Sequence, residues 1–188
     1  MYDNTKLTRD FIMALAYSEH YTVRDYQLWE GDWELIYGAP YAMAPSPSIS
    51  HQRLEQEISV QLYTQLKKCS NCEVLTEVDW QSSDDTVVRP DILIACNIQG
   101  EKLTKTPELI VEVVSATSAK RDELTKFELY QQEGVKFYIL AYPEEKVAKV
   151  YRLHEGRFIK EADFSNEQFD FKIKECDISI DFSQIWPN

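Results

Sequence analysis

No apolar stretch in this chain approaches the ~20 residues needed to cross a bilayer, so no membrane partner is expected. The first residues, Met1-Tyr2-Asp3-Asn4-Thr5-Lys6, lack the basic start and apolar core of a secretory signal. A cytoplasmic location follows as the expectation. Cysteine is sparse: Cys69 and Cys72 form a single C-x2-C pair, and Cys96 and Cys176 stand alone. A structural zinc site normally needs two such pairs, or one pair with histidines, and no His lies close enough in sequence to complete it. Reduced thiols are therefore expected. Positive charge is also short. Twenty Lys and Arg face 32 Asp and Glu, a net charge of −12, which counts against a broad nucleic-acid-binding face. Linkers, repeats and low-complexity segments are missing too, so residues 1–188 read as one domain, long enough to bury a core.

The bases that are present are not spread evenly. Fourteen of the 20 lie between residues 49 and 159, while each flank carries seven acids against three bases. That distribution leaves open a local positive groove. It equally leaves open a protein that never meets DNA.

Thr22 is placed to cap a short helix over Val23–Glu30, ended by Gly31-Asp32. Trp33–Tyr37 and Pro40–Ala44 read as a hairpin about Gly38, and Pro45–Ser48 as a loop. Ile49–Lys67 is a helix, because Leu54, Ile58, Leu62 and Leu66 make one apolar face. Strands are expected over Glu73–Asp79, Val87–Ala95 and Glu108–Val114. Ser118 caps the next helix, which runs to Glu133 and stops at Gly134. Strands follow at Lys136–Tyr142, Ala148–Leu153 and Arg157–Ala162. The stretch from Cys176 to Asn188 is expected to pack along the surface by Ile178, Ile180, Ile185 and Trp186. This order predicts an α/β fold with a mixed central sheet flanked by helices.

One residue breaks the pattern. Glu112 sits inside Leu109-Ile110-Val111-Glu112-Val113-Val114, a run that reads as a buried strand. A buried lone carboxylate costs several kcal/mol or more unless something pairs with it. Asp91 occupies a comparable place in Val87-Val88-Arg89-Pro90-Asp91-Ile92-Leu93-Ile94. On the following helix Asp122, Lys126 and Tyr130 recur at spacing four and share a face, which turns Lys126 toward the two acids. Two carboxylates and a lysine suit metal-assisted phosphodiester hydrolysis. Oxygen ligands hold Mg²⁺ with its waters, the metal activates water, and the ammonium offsets developing charge. Each residue also has a plainer role. Glu112 fits a carboxylate neutralised by a core cation, Asp91 a turn cap after Pro90, and Asp122 with Lys126 a surface ion pair.

Pro90-Asp91 followed by Glu112 on the next strand resembles the PD-(D/E)XK nuclease superfamily. The lysine usual two residues after the second acid is replaced here by Val114. The wider pattern resembles the Uma-type restriction endonuclease family of that superfamily. The matching pieces are Trp33-Glu34-Leu35-Ile36-Tyr37-Gly38, Pro45-Ser46-Pro47 leading to His51, and Val88-Arg89-Pro90-Asp91. They continue with Val111-Glu112-Val113-Val114-Ser115, then Asp122-x3-Lys126-x3-Tyr130, then Gly134-Val135.

The resemblance implies a restriction-endonuclease-like αβββαβ core over about residues 22–153. It also implies Mg (or Mn) at Asp91 and Glu112, with Lys126, displaced to the helix, as the third catalytic member. Glu34 and His51 match family positions and join Asp122 and Tyr130 as auxiliary candidates. The chain departs from the family pattern at Tyr37-Gly38-Ala39, at Ala116 and at Tyr142-Pro143, outside the proposed triad. The expected function is a metal-dependent endonuclease acting on DNA, with a homodimer by analogy. The alternatives are a non-catalytic interaction module on a nuclease scaffold and a hydrolase of small phosphorylated substrates.

Overall fold

The computed structural model describes residues 19–43, 46–69 and 71–186. The N-terminal hexapeptide considered for a signal, Ala44 of the expected hairpin, Pro45 of the loop, and the final Pro187-Asn188 lie outside these residues.

The order is α1 (Val23–Tyr26), β1 (Trp33–Ile36), β2 (Ala39–Ala42), α2 (Ile49–Leu66), β3 (Cys72–Thr76), β4 (Trp80–Ser83), β5 (Thr86–Val88), β6 (Ile92–Cys96) and β7 (Leu109–Val113). A π-helical segment, Arg121–Lys126, runs into α3 (Phe127–Gln132). Then come β8 (Phe137–Tyr142), β9 (Val147–His154), β10 (Arg157–Phe164), β11 (Gln168–Ile173), β12 (Cys176–Asp181) and a 3-10 turn, Phe182–Gln184. The central sheet has the order β10-β9-β8-β7-β6-β3. Only β7 and β8 pair in parallel, as a strand–helix–strand crossover through α3 requires. The expected αβββαβ core is therefore α2, β3, β6, β7, α3 and β8.

Strands β6, β7 and β8 are buried at every position, which is why they read as unbroken apolar runs. Alternate side chains feed two cores. Leu109, Val111 and Val113 of β7 join Leu54, Ile58, Leu62 and Leu66 of α2 on one face. Ile110 and Val114 join Leu129 and Tyr130 of α3 on the other. By that alternation Glu112 points to the α3 face.

The expected strands Glu73–Asp79 and Val87–Ala95 are each broken, at matching points. β3 pairs with β6 with Thr76 opposite Ile92, and β4 pairs with β5 with Trp80 opposite Val88. The two ladders share one register, so they are a single long hairpin bent in the middle. At the bend Glu77 takes a positive φ of 51°, and its N–H donates to Asp91 O at 3.1 Å. Across from it Pro90 has no N–H to give, and Arg89 N donates to Glu34 Oε1 instead of to a strand. Beyond the bend the hairpin leaves the central sheet and joins the small sheet β2-β1-β5-β4. In that sheet the β1–β2 turn places both Tyr37 and Gly38 at positive φ, 52° and 77°, as a two-residue hairpin of the primed type demands.

Three further expectations change. α1 ends at Tyr26, four residues short of Glu30, where Trp29 turns to pack edge to face on both Tyr26 and Trp33 and the Tyr26 hydroxyl donates to Trp33 O. The C-terminal stretch is core, not surface covering. β11 and β12 form a hairpin, and Ile178, Ile180, Phe182 and Ile185 are buried against the α2 face. The cysteines are paired rather than reduced. Cys72 and Cys96 face each other across the β3–β6 register, and Cys69 joins Cys176, tying the C-terminal hairpin to the end of α2.

Candidate active site

The bend and the C-terminal end of β7 face one cleft of about 270 Å³, lined by residues from five parts of the chain. Continuing the β6–β7 register by one step from Ile92 and Val111 sets Asp91 beside Glu112. Asp91 does not lie within a strand as expected; it occupies the bend just before β6. Its Oδ2 accepts a hydrogen bond from Val113 N at 2.6 Å, so the bend is pinned to the neighbouring strand.

Glu112 is 2% exposed and its contacts run through one oxygen. Oε1 receives Lys126 Nζ at 2.9 Å and the Tyr130 hydroxyl at 2.7 Å. Burial pushes the Glu112 carboxyl well above its ordinary pKa. Lys126 opposes that, and Asp91, Asp122 and Glu34 add to it by repulsion. Lys126, also buried, bridges Glu112 to Glu34 Oε1 at 2.8 Å and lies 3.9 Å from Asp122 Oδ1. Burial alone would lower its pKa, but the charges of Glu112, Glu34 and Asp122 raise it above the usual lysine value. Asp122 is pushed up, chiefly by burial.

His51, in the first turn of α2, brings Nε2 to 3.3 Å from Asp91 Oδ2 and Nδ1 to 3.9 Å from Glu55 Oε2. Burial tends to lower the histidine pKa, yet the Asp91 hydrogen bond and charge, with Glu55 and Glu77, leave it raised. All seven residues singled out in the sequence meet here: Asp91, Glu112 and Lys126 with Glu34, His51, Asp122 and Tyr130. Glu112 also has the core cation that the plainer role called for, and that cation is Lys126.

Other side chains at the cleft gave less warning. Glu55 is 6% exposed, and burial raises its pKa to about 7; its position four residues after His51 is the signal that marks it. Arg121 lies five residues before Lys126, which α-helical spacing puts on another face. The π-helical turn Arg121–Lys126 widens the repeat and brings Arg121, Asp122 and Lys126 to one cleft. Tyr138 donates to Asp122 O at 3.0 Å and so supports that turn from β8.

The donor set suits a hard divalent cation better than zinc. Among the described residues Asp91 Oδ1 and Glu112 Oε2 accept no protein hydrogen bond, so each acid keeps one oxygen to offer. No three His, Cys, Asp or Glu side chains among the described residues converge as a closed metal cage. Zinc sites need at least three protein ligands, whereas Mg²⁺ is commonly held by one or two carboxylates and waters.

A family model, Uma2, "Putative restriction endonuclease", matches residues 23–173. The chain belongs to this family. The matched span covers every residue of the cleft. A solved structure from Anabaena variabilis, a "putative nuclease belonging to DUF820", has the same fold at a TM-score of 0.72 and 15% identity, over 88% of this chain and 97% of that one. No curated protein matches the chain. No helix among the described residues is long and apolar enough to cross a membrane.

Proposed function

We propose that this Uma2 family member is a Mg²⁺- or Mn²⁺-dependent endonuclease that hydrolyses DNA phosphodiester bonds, with Asp91 and Glu112 as the metal ligands and Lys126 beside them. The observation that carries the proposal is the placement of Asp91 next to Glu112 in the wall of one cleft, each with one oxygen that accepts no protein hydrogen bond among the described residues. When bound, the cation supplies an activated water and offsets charge on the scissile phosphate.

The chain's own residues prepare that position. Val113 N and His51 fix the Asp91 carboxylate. Tyr130 and Lys126 both hold Oε1 of Glu112, which leaves Oε2 toward the cleft. Glu34 anchors Lys126 from the small sheet, so the ammonium stays beside the reacting centre. Carboxylates outnumber cations along the cleft wall: Glu34, Glu77, Asp91, Glu112 and Asp122 against Arg89, Arg121, Lys126 and His51. Asp91 and Glu112 would hold a divalent cation whose charge would relieve that imbalance and let the cleft take a phosphate that an acidic wall repels. A homodimer acting on both strands belongs to the same proposal.

The second reading, an interaction module without turnover, draws on two observations. Lys126 already neutralises Glu112, and a net charge of −12 opposes tight duplex binding. Incubation of the purified chain with single- and double-stranded DNA and RNA, with Mg²⁺, Mn²⁺ or chelator, separates the two. Metal-dependent cleavage of DNA, lost in Asp91→Asn, is the expected outcome. Intact substrates under every condition would favour the module.

A further inference from the structure

Four cationic or imidazole side chains line the cleft, and three are committed. Lys126 Nζ is held by Glu34 at 2.8 Å and Glu112 at 2.9 Å. Arg89 gives Nε to Asp79 and Nη1 to Asp32, both at 2.8 Å, and so faces away from the reacting centre. His51 Nε2 is directed at Asp91. Arg121 differs. Its guanidinium donates no hydrogen bond among the described residues. Its ion pair is a long one, Nη1 to Glu34 Oε2 at 3.3 Å. Its Nε is buried without a partner, and so is the facing Glu34 Oε2.

The guanidinium is under-partnered, which is costly, and its side chain, 19% exposed and lining the cleft, is where a ligand can supply further acceptors. We infer that Arg121 is the substrate-contacting cation of the cleft: its guanidinium fork receives a backbone phosphodiester, while Lys126 stays locked to the carboxylates. This rests on the nuclease proposal for the substrate class. The geometry favours arginine for the task, because a planar fork offers paired donors to two phosphate oxygens at once, which an ammonium does not. The site also explains the π-helical turn. Without the wider repeat Arg121 and Lys126 would not share a wall, and one turn would not supply both a locked cation and one held only by a long ion pair. Glu34 holds both through its two oxygens, so it sets their spacing.

The test uses the full chain, Mg²⁺ and a short DNA duplex. Binding is followed by fluorescence anisotropy, and the arginine Nε–H NMR signals are recorded in the same titration, with Arg121→Lys identifying the Arg121 signal. Arg121→Gln is compared with Lys68→Gln, which removes the same charge from an exposed position outside the cleft. The Arg121 signal is expected to move on binding. Arg121→Gln is expected to weaken affinity roughly ten- to hundredfold, the usual weight of a charge-assisted hydrogen-bond pair, with Lys68→Gln within about twofold of the parent. Arg121→Lys should recover part of the loss. Equal affinities for Arg121→Gln and Lys68→Gln, or an Arg121 signal that does not move, overturn the inference. A chain that binds through Arg121 without cutting upholds the inference and removes the nuclease proposal. A chain that cuts DNA with Arg121→Gln unimpaired does the reverse, and a chain that binds no duplex overturns both.

Discussion

Lys126 Nζ stands 2.9 Å from Glu112 Oε1, and both side chains are buried. The pair crosses from the π-helical segment to β7 and extends through Glu34 to β1. Two strands from two sheets and a helical segment are therefore joined at one ammonium. Lys126→Met leaves Glu112 buried without a counter-charge and Glu34 with only its long Arg121 pair. Breaking a buried pair from one side costs about 3–5 kcal/mol, and that loss is expected in urea denaturation. Adding Glu112→Gln to Lys126→Met should recover a substantial part of it. A single variant within 1 kcal/mol of the parent would show that the pair is not a structural tie.

Glu55 gives the cleft a pH dependence of stability. Burial, then repulsion from Asp91 and Glu77, lifts its pKa from the ordinary carboxylate range to about 7 in the folded chain. The folded state therefore binds more protons than the unfolded one between the two values. Stability from this residue falls as pH rises from the unfolded pKa toward 7, then levels off. Glu55→Gln keeps an acceptor for Gln52, which donates to Glu55 Oε2 at 2.8 Å, and removes the charge. The variant is expected to gain stability relative to the parent above pH 7, by roughly 2 kcal/mol, with little difference near pH 4. Denaturant midpoints at the two pH values check this; a difference that does not change with pH would refute it.

The C-terminal hairpin is an integral part of the core beneath α2. Ile180 is fully buried among residues of α2 and β11. Ile180→Ala should cost about 2–5 kcal/mol, the usual range for truncating a buried aliphatic side chain. Thermal or urea unfolding measures it. A surface-packed stretch, as the sequence pattern implied, would lose less than 1 kcal/mol.

That contrast marks how far the sequence could be read. The Glu112 strand, the α2 face and the spacing of Asp122, Lys126 and Tyr130 were legible because burial and helical periodicity leave direct traces. The bend was not. Glu77 takes a positive φ without being glycine or asparagine, and its partner break at Pro90 falls inside the run read as one strand, Val87–Ala95. Without the bend Asp91 falls within that expected strand; with it, Asp91 stands at the point where the hairpin changes sheets. Arg121 was missed because α-helical spacing from Lys126 puts it on another face, and the π-helical turn overrides that spacing. The β11–β12 hairpin was missed because its alternation, with Phe169, Phe171 and Ile173 opposite Ile180, Ile178 and Cys176, becomes meaningful only once α2 is there to cover it.

The central claim is that Asp91 and Glu112 together hold a divalent cation. Calorimetric titration of Mn²⁺ into the folded parent, Asp91→Asn and Glu112→Gln tests it most directly, because it needs neither a substrate nor a cleavage condition. The account predicts one saturable site in the parent and its loss in both variants, with each variant still folded by circular dichroism. Equal heats from all three proteins would contradict it.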